Sequence, residues 1–89
     1  MKPKRLAKMP AKYQKSVESE LHRLSQTIQV GREARGLTQE GLAEKLGIGT
    51  TTLQAIERGR RYPSLPTLFY VCQFLGIEIQ VNPPKASRG

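Results

Sequence analysis

Apolar residues recur at helical spacing in four separate segments of the chain. The first segment carries a stripe with steps of four, three and four residues: Val17, Leu21, Leu24 and Ile28. This spacing predicts an amphipathic helix, with Ser16 as its N-cap and Gly36 as the left-handed residue that ends it. Gly31 interrupts the stripe, and its missing side chain permits the close approach of another helix.

Two short helical segments follow, separated by a turn of three residues. Thr38 is the predicted N-cap of a helix over Gln39–Leu46, and glycine at position 47 ends it. The next helix is predicted from Thr50 to about Arg58, with Leu53 and Ile56 directed inward. Two short helices joined in this way match a helix-turn-helix, whose second helix enters the DNA major groove.

A fourth helix is predicted between Ser64, its N-cap, and Gly76. Its predicted inward stripe comprises Leu65, Leu68, Phe69, Cys72 and Leu75. Val71 and Phe74 form a second apolar flank, which is more than a small monomer usually covers. This flank therefore indicates an interface with a second subunit.

The hydrophobic period changes from helical to alternating after Gly76. Residues 77–81 alternate apolar and polar side chains, which predicts a β-strand before Asn82 and the two prolines. A single strand leaves its backbone groups unpaired, so a homodimer that pairs two copies of the strand is expected. The residues predicted to form the dimer interface are Val71, Phe74, Ile77, Ile79 and Val81.

Composition restricts the kinds of function that the chain can have. Its 89 residues include one Cys, one His and no Asp, which rules out an internal disulfide, a zinc cluster and a His-based catalytic triad. We expect no enzyme activity, catalytic residue, metal or cofactor. The longest apolar run has five residues, so neither a membrane span nor a signal peptide is expected and the location is predicted as cytoplasmic.

The net charge of +8 indicates an anionic partner, and it is concentrated in two clusters. Residues 1–15 carry six basic and no acidic side chains and are predicted as a basic flexible arm, either a solvated tail or a segment that tracks nucleic acid. Three arginines lie within residues 58–61, directly after the second motif helix.

The remainder of the chain, after the basic arm, is predicted to divide into three parts. These are a helix-turn-helix domain over 16–76, a dimerisation strand over 77–82 and a tail over 83–89.

The stretch Gly36–Ile48, together with Ile56–Gly59 and Pro63–Leu65, resembles the XRE family of small bacterial and phage repressors, the Cro and C1 repressor type. The resemblance covers residues 24–76. It implies an all-α fold, a lambda-repressor-like helix-turn-helix domain of four main helices, with the short C-terminal β-strand pairing across a dimer. The implied partner is a double-stranded DNA operator.

The resemblance also implies roles for individual residues. The residues implied to contact base edges are Thr50, Thr51, Gln54 and Ala55. Those implied to contact phosphates are Gln39, Arg58, Arg60 and Arg61. Arg32 and Glu57 match a partly buried ion pair of structural importance. The chain departs from the family pattern at Gly49, which lacks a hydroxyl group, and at Ala55, which can contact only a thymine methyl.

The C-terminal strand is similar to that of HipB-like antitoxins, in which strands of two subunits pair. This narrower resemblance implies a sequence-specific repressor that is the autoregulatory antitoxin of a toxin-antitoxin operon and also binds a cognate toxin, such as a HipA-like kinase. The alternatives are a stand-alone phage or chromosomal regulator, a protein-interaction adaptor that does not bind DNA, and a basic peptide with affinity for membranes. A toxin gene next to this gene would distinguish the antitoxin from the stand-alone regulator.

Overall fold

The computed structural model describes residues 4–84, which form five α-helices. The helices are α1 (Lys4–Ala7), α2 (Ala11–Ala34), α3 (Gln39–Leu46), α4 (Thr50–Glu57) and α5 (Leu65–Phe74). Helices α2 to α5 correspond to the four main helices predicted from the apolar spacing. The all-α fold class with a helix-turn-helix is therefore confirmed.

Local signals determine the ends of α3. The side chain of Thr38 accepts a hydrogen bond from the Gly41 N–H at 2.9 Å, which satisfies one of the free donors of the first turn. Gly47 adopts φ 74°, a conformation that costs a residue with a Cβ about 1–2 kcal/mol. The Ile48 N–H then bonds back to the Ala43 carbonyl at 3.0 Å, and this tight turn directs the chain into α4.

The first main helix begins earlier than the sequence indicated. Helix α2 starts after Pro10 rather than at Ser16, because the residues between them contain no helix breaker and proline is favourable at a helix start. Helix α1 packs back on it: Leu6 is buried, and the Gln14 amide donates to the Leu6 carbonyl at 2.9 Å. Residues 11–15, which the sequence predicts as part of the basic flexible arm, therefore lie in a helix.

The hydrophobic core joins one stripe of each main helix. Its buried members are Ile28, Leu42, Ala43, Leu46, Leu53, Ile56, Leu68, Val71, Cys72 and Leu75. The predicted inward position of Leu65 is wrong, since this side chain is 60% exposed in the first turn of α5. Val71 takes the buried position instead, because it follows Leu68 by three residues and precedes Leu75 by four.

The burial of Val71 also corrects its assignment to a dimer interface. Its side chain is 0% exposed within the single chain and has no surface left for a second copy. Phe74 is half-buried against the core, and the Arg35 guanidinium lies 5.9 Å from the centre of its ring. The apolar flank of α5 is thus largely covered by the chain's own residues.

The segment after α5 is extended but unpaired. No residue of the described range 4–84 lies in a β-strand, because a strand needs a neighbour and the single chain supplies none beside this segment. Ile77 is half-buried, and its N–H donates to the Cys72 carbonyl at 2.8 Å. Ile79 and Val81 are 39% and 80% exposed. Strand pairing with a second copy remains a prediction.

Gly31 lies where the C-terminal segment crosses α2. A methyl group at this position would lie 3.5 Å from Ile77 Cδ1 and 3.6 Å from Leu75 Cβ, both ordinary van der Waals distances. The close approach expected at this glycine is therefore formed by the end of α5 and the residues after it. The gap is just wide enough for one methyl group.

The replacement Gly31→Ala is expected to stabilise the fold by about 0.5–1 kcal/mol, because alanine has the higher helix propensity and no contact must move. Urea unfolding followed by circular dichroism measures this change. Gly47→Ala is the control, and we expect it to destabilise the fold by about 1–2 kcal/mol because of its positive φ. A loss of stability in Gly31→Ala would contradict the packing described for this site.

Candidate nucleic-acid interface

Helix α4 separates a buried face from an accessible one. Leu53 and Ile56 are completely buried, which fixes the helix against the core. Thr51 is exposed, whereas Gln54 and Ala55 are half-buried on the accessible side. Thr50, at the first position of the helix, is also half-buried. The four residues implied to contact bases are thus all accessible to some extent.

The loop after α4 folds back onto the end of that helix. The backbone N–H groups of Arg60 and Arg61 lie 2.9 and 3.5 Å from the Ala55 carbonyl. The side chains of Arg58, Arg60 and Arg61 are all exposed. The loop therefore presents positive charge immediately beside the accessible face of α4.

A surface depression, which we call the α4–loop depression, joins the two groups of residues. It is lined by Thr51, Thr52, Ala55, Arg60, Arg61 and Pro63. The predicted base-contact residues Thr51 and Ala55 thus meet the predicted phosphate-contact residues Arg60 and Arg61 in one place. Sequence reasoning missed Thr52, although its position three residues before Ala55 places both on one side of the helix.

A buried ion pair ties α2 to the end of α4. Arg32 donates from Nε to Glu57 Oε2 at 2.7 Å and from Nη2 to Glu57 Oε1 at 3.0 Å, and its Nη1 donates to the Leu37 carbonyl at 2.8 Å. The side chains are 11% and 3% exposed. The hydrogen bond to Glu57 raises the pKa of Arg32, which keeps the guanidinium charged.

Gln39, implied to contact a phosphate, is half-buried and also belongs to this network. Its side-chain amide donates to Glu57 Oε1 at 3.0 Å. The start of α3 is therefore joined to the end of α4 through a carboxylate that Arg32 neutralises. This arrangement fixes the angle between the two helices of the helix-turn-helix.

A second polar cluster, formed by Ser25 and Tyr62, was not predicted. Ser25 is 2% exposed, and its Oγ donates to the Ile56 carbonyl at 2.7 Å. The Tyr62 hydroxyl lies 2.7 Å from Ser25 Oγ and 3.2 Å from the Leu21 carbonyl. The available signal was a serine on the apolar stripe between Leu21 and Ile28, since a buried hydroxyl requires a partner.

The described part of the chain contains no group of His, Cys, Asp and Glu side chains that could hold a metal ion. Cys72 is completely buried, and this burial raises the pKa of its thiol. Within residues 4–84, no helix combines the length and the apolar character that crossing a membrane requires.

Sequence comparison identifies the family. The profile of the helix-turn-helix family HTH_3 matches residues 28–82. An uncharacterised HTH-type transcriptional regulator of Methanocaldococcus jannaschii is 45% identical over 49 residues, which are 55% of this chain and 74% of that protein. The HTH-type regulator YazB of Bacillus subtilis is 39% identical over 59 residues, with 65% and 86% covered.

A phage protein is also similar, although only over part of its length. The immunity repressor of Bacillus phage phi105 is 45% identical over 56 residues, which are 63% of this chain and 39% of the repressor. Its remaining length has no counterpart in this match. The likeness is therefore to one region of that protein.

Solved structures give the same fold. A restriction-modification controller protein superposes with a TM-score of 0.58 and 31% identity, covering 65% of this chain and 76% of that one. HipB in complex with an O2 20mer superposes with a TM-score of 0.60 and 28% identity, covering 73% and 90%. The profile match includes all of α3, α4 and α5, and the chain belongs to the helix-turn-helix family, of the XRE type.

Proposed function

We propose that the protein is a sequence-specific DNA-binding repressor of transcription that binds its operator as a homodimer in the cytoplasm. The observation that carries this proposal is the α4–loop depression, in which exposed threonines of α4 lie beside Arg60 and Arg61. Hydroxyl groups suit base edges, and guanidinium groups suit phosphates. One surface therefore combines the two chemistries that reading DNA requires.

In the proposed complex, α4 lies in the major groove. Thr50, Thr51 and Gln54 face the base edges, whereas Ala55 contacts a thymine methyl. The loop arginines hold the phosphates at the groove edge, and this contribution is independent of base sequence. The ion pair of Arg32 with Glu57 keeps α4 at a fixed angle during binding. An occupied operator at a promoter then excludes polymerase.

A homodimer gives the operator its two-fold symmetry. The recognition helices of such a dimer are about 34 Å apart, so that they meet successive turns of the major groove on one side of the duplex. The exposed side chains of Ile79 and Val81 support a second copy as the partner of the C-terminal segment. Their alternation with polar residues favours pairing of two extended segments.

Two observations favour different biological roles for the same repressor. The likeness to HipB, over 73% of this chain, favours an autoregulatory antitoxin with a cognate toxin. The 45% identity to the phage immunity repressor favours a stand-alone regulator. We propose the antitoxin as the first candidate. Purification of this protein from cells that also express its neighbouring genes would recover a stoichiometric toxin for an antitoxin and none for a stand-alone regulator.

The DNA-binding proposal is tested by selecting bound duplexes from a random pool. We expect the selected duplexes to share a pseudo-palindrome whose half-sites are one helical turn apart. An adaptor that has lost DNA binding would enrich no sequence. Vesicle binding without DNA binding would support the basic-peptide alternative.

The double replacement Arg60→Ala and Arg61→Ala is expected to weaken binding to all duplexes alike. Each lost phosphate contact makes the negative slope of log affinity against log salt shallower by about 0.9, so the slope of the double variant should be shallower than that of the wild type by about 1.8. Fluorescence anisotropy on selected and scrambled duplexes over a range of salt concentrations measures the slope.

The control for this charge removal is Arg23→Ala, on the outer face of α2 beside Gln26 and Thr27. Arg23 is exposed and paired with Glu20 at 3.4 Å, so its removal takes away one charge without touching the interface. We expect the slope of this variant to stay near that of the wild type. A loss of affinity confined to the selected sequence in the double variant would contradict a phosphate-binding role.

A further inference from the structure

We propose that Tyr62 is a positioning residue for DNA binding, an inference that rests on the proposed function. Its hydroxyl group fastens the end of residues 58–62, which we call the arginine loop, to α2, and this fixes where the guanidinium groups of Arg60 and Arg61 meet the phosphates. Tyr62 is half-buried, and it acts through Arg60 and Arg61, which precede it in the chain.

The Tyr62 hydroxyl connects three elements of the fold. It lies 2.7 Å from Ser25 Oγ and 3.2 Å from the Leu21 carbonyl, both on α2. Ser25 Oγ donates its own proton to the Ile56 carbonyl at the end of α4, at 2.7 Å. The tyrosine proton is therefore shared between two acceptors, Ser25 Oγ and the Leu21 carbonyl oxygen. Helices α2 and α4 and the arginine loop are joined at this hydroxyl group.

The arginine loop is held at both of its ends. At its start, the N–H groups of Arg60 and Arg61 share the Ala55 carbonyl as acceptor, and the second of these contacts is long, at 3.5 Å. Gly59 precedes them with φ +69°, the left-handed conformation of a tight turn. At the end of the loop, the hydroxyl of Tyr62 is the second anchor. Without it, the start of the loop keeps its backbone bonds to the Ala55 and Ile56 carbonyls, but the end is held only by the packing of the Tyr62 ring.

Removal of this hydroxyl takes away only its own contacts, with Ser25 Oγ and the Leu21 carbonyl. In Tyr62→Phe, Ser25 still donates to the Ile56 carbonyl, and no buried donor loses its partner. The ring also keeps its packing against the core. The replacement therefore loosens the loop selectively, and a change in DNA binding cannot be attributed to an unsatisfied group in the core.

The matched control is Tyr70→Phe. The Tyr70 hydroxyl donates to the Leu46 carbonyl at 2.9 Å and joins α5 to α3, and Tyr70 does not line the α4–loop depression. Both replacements remove one oxygen atom and one bond to a backbone carbonyl. We expect each to lower the Tm by about 4–8 °C, the range for loss of one ordinary hydrogen bond in a domain of this size.

The test measures affinity for the selected duplex at a temperature at which circular dichroism shows every variant to be folded. We expect Tyr62→Phe to bind about tenfold more weakly, because the complex must then order two long side chains and their loop. Tyr70→Phe should bind like the wild type. In the background of Arg60→Ala and Arg61→Ala, Tyr62→Phe should cause no further loss, since the side chains that it positions are absent.

Three results would overturn the positioning role. One is equal weakening by Tyr62→Phe and Tyr70→Phe, which indicates a general effect of stability. Another is an undiminished effect of Tyr62→Phe in the background without the arginines, which places its action elsewhere. Failure of the wild-type protein to bind any duplex would overturn the proposed function and the role of Tyr62 with it. The first two leave the proposed function intact.

Discussion

Replacement of Glu57 by alanine is expected to destabilise the protein by about 3–5 kcal/mol. The change leaves the Arg32 guanidinium buried without its carboxylate, and it also removes the acceptor of the Gln39 amide. A domain of this size has a total stability of roughly 5–10 kcal/mol, so the variant should be partly unfolded at moderate temperature. Urea unfolding at several temperatures measures the loss.

Two further variants distinguish the buried pair from ordinary surface charge. Glu33 lies 3.9 Å from Arg32 but is 57% exposed, so Glu33→Ala should change stability by no more than about 0.5 kcal/mol. The double replacement Arg32→Leu with Glu57→Leu should be less destabilising than either single replacement, because it leaves no buried charge unpaired. Equal losses for Glu57→Ala and Glu33→Ala would show that the pair contributes little.

Replacement of Ile79 and Val81 by lysine is expected to convert the proposed dimer to a monomer. Both side chains are exposed in the single chain and lie on one side of the extended segment, where a second copy would bury them. Two linked half-sites bind about 100-fold or more tightly than one, so operator affinity should fall at least by that factor. Sedimentation and fluorescence anisotropy measure the two effects.

The control for this experiment is Gln80→Lys, which adds a positive charge on the opposite side of the same segment. Gln80 is exposed and alternates with the two apolar residues, so a paired strand would leave it in solvent. We expect Gln80→Lys to remain dimeric. A wild-type protein that sediments as a monomer, or a double lysine variant that stays dimeric, would contradict pairing through this segment.

The sequence predicted the helix-turn-helix well because its signals are local. Thr38 caps its own helix and Gly47 ends it, so both boundaries of α3 depend on residues within one turn. The inward positions of Leu53 and Ile56 follow from helical geometry alone. The ion pair of Arg32 with Glu57, which only the family resemblance implied, is present with hydrogen bonds of 2.7 and 3.0 Å.

Features that depend on tertiary contacts could not be read in the same way. The apolar pattern of α5 does not show which of its side chains the rest of the chain covers. Val71 is buried because it lies between Leu68 and Leu75 on the face of α5 that packs into the core. The contact of Tyr62 with Ser25 joins residues that are 37 positions apart. Such a pair depends on the packing of α2 against the loop, which helical periodicity does not specify.

The single cysteine of the chain has a consequence for its chemistry in the cell. Cys72 is 0% exposed at the centre of the core, and this burial raises the pKa of its thiol, which disfavours the thiolate. Oxidants and alkylating reagents attack the thiolate, so the Cys72 thiol of the folded protein reacts only slowly with them. Its thiol becomes reactive only when the core opens, and the rate of alkylation is thus a direct measure of unfolding.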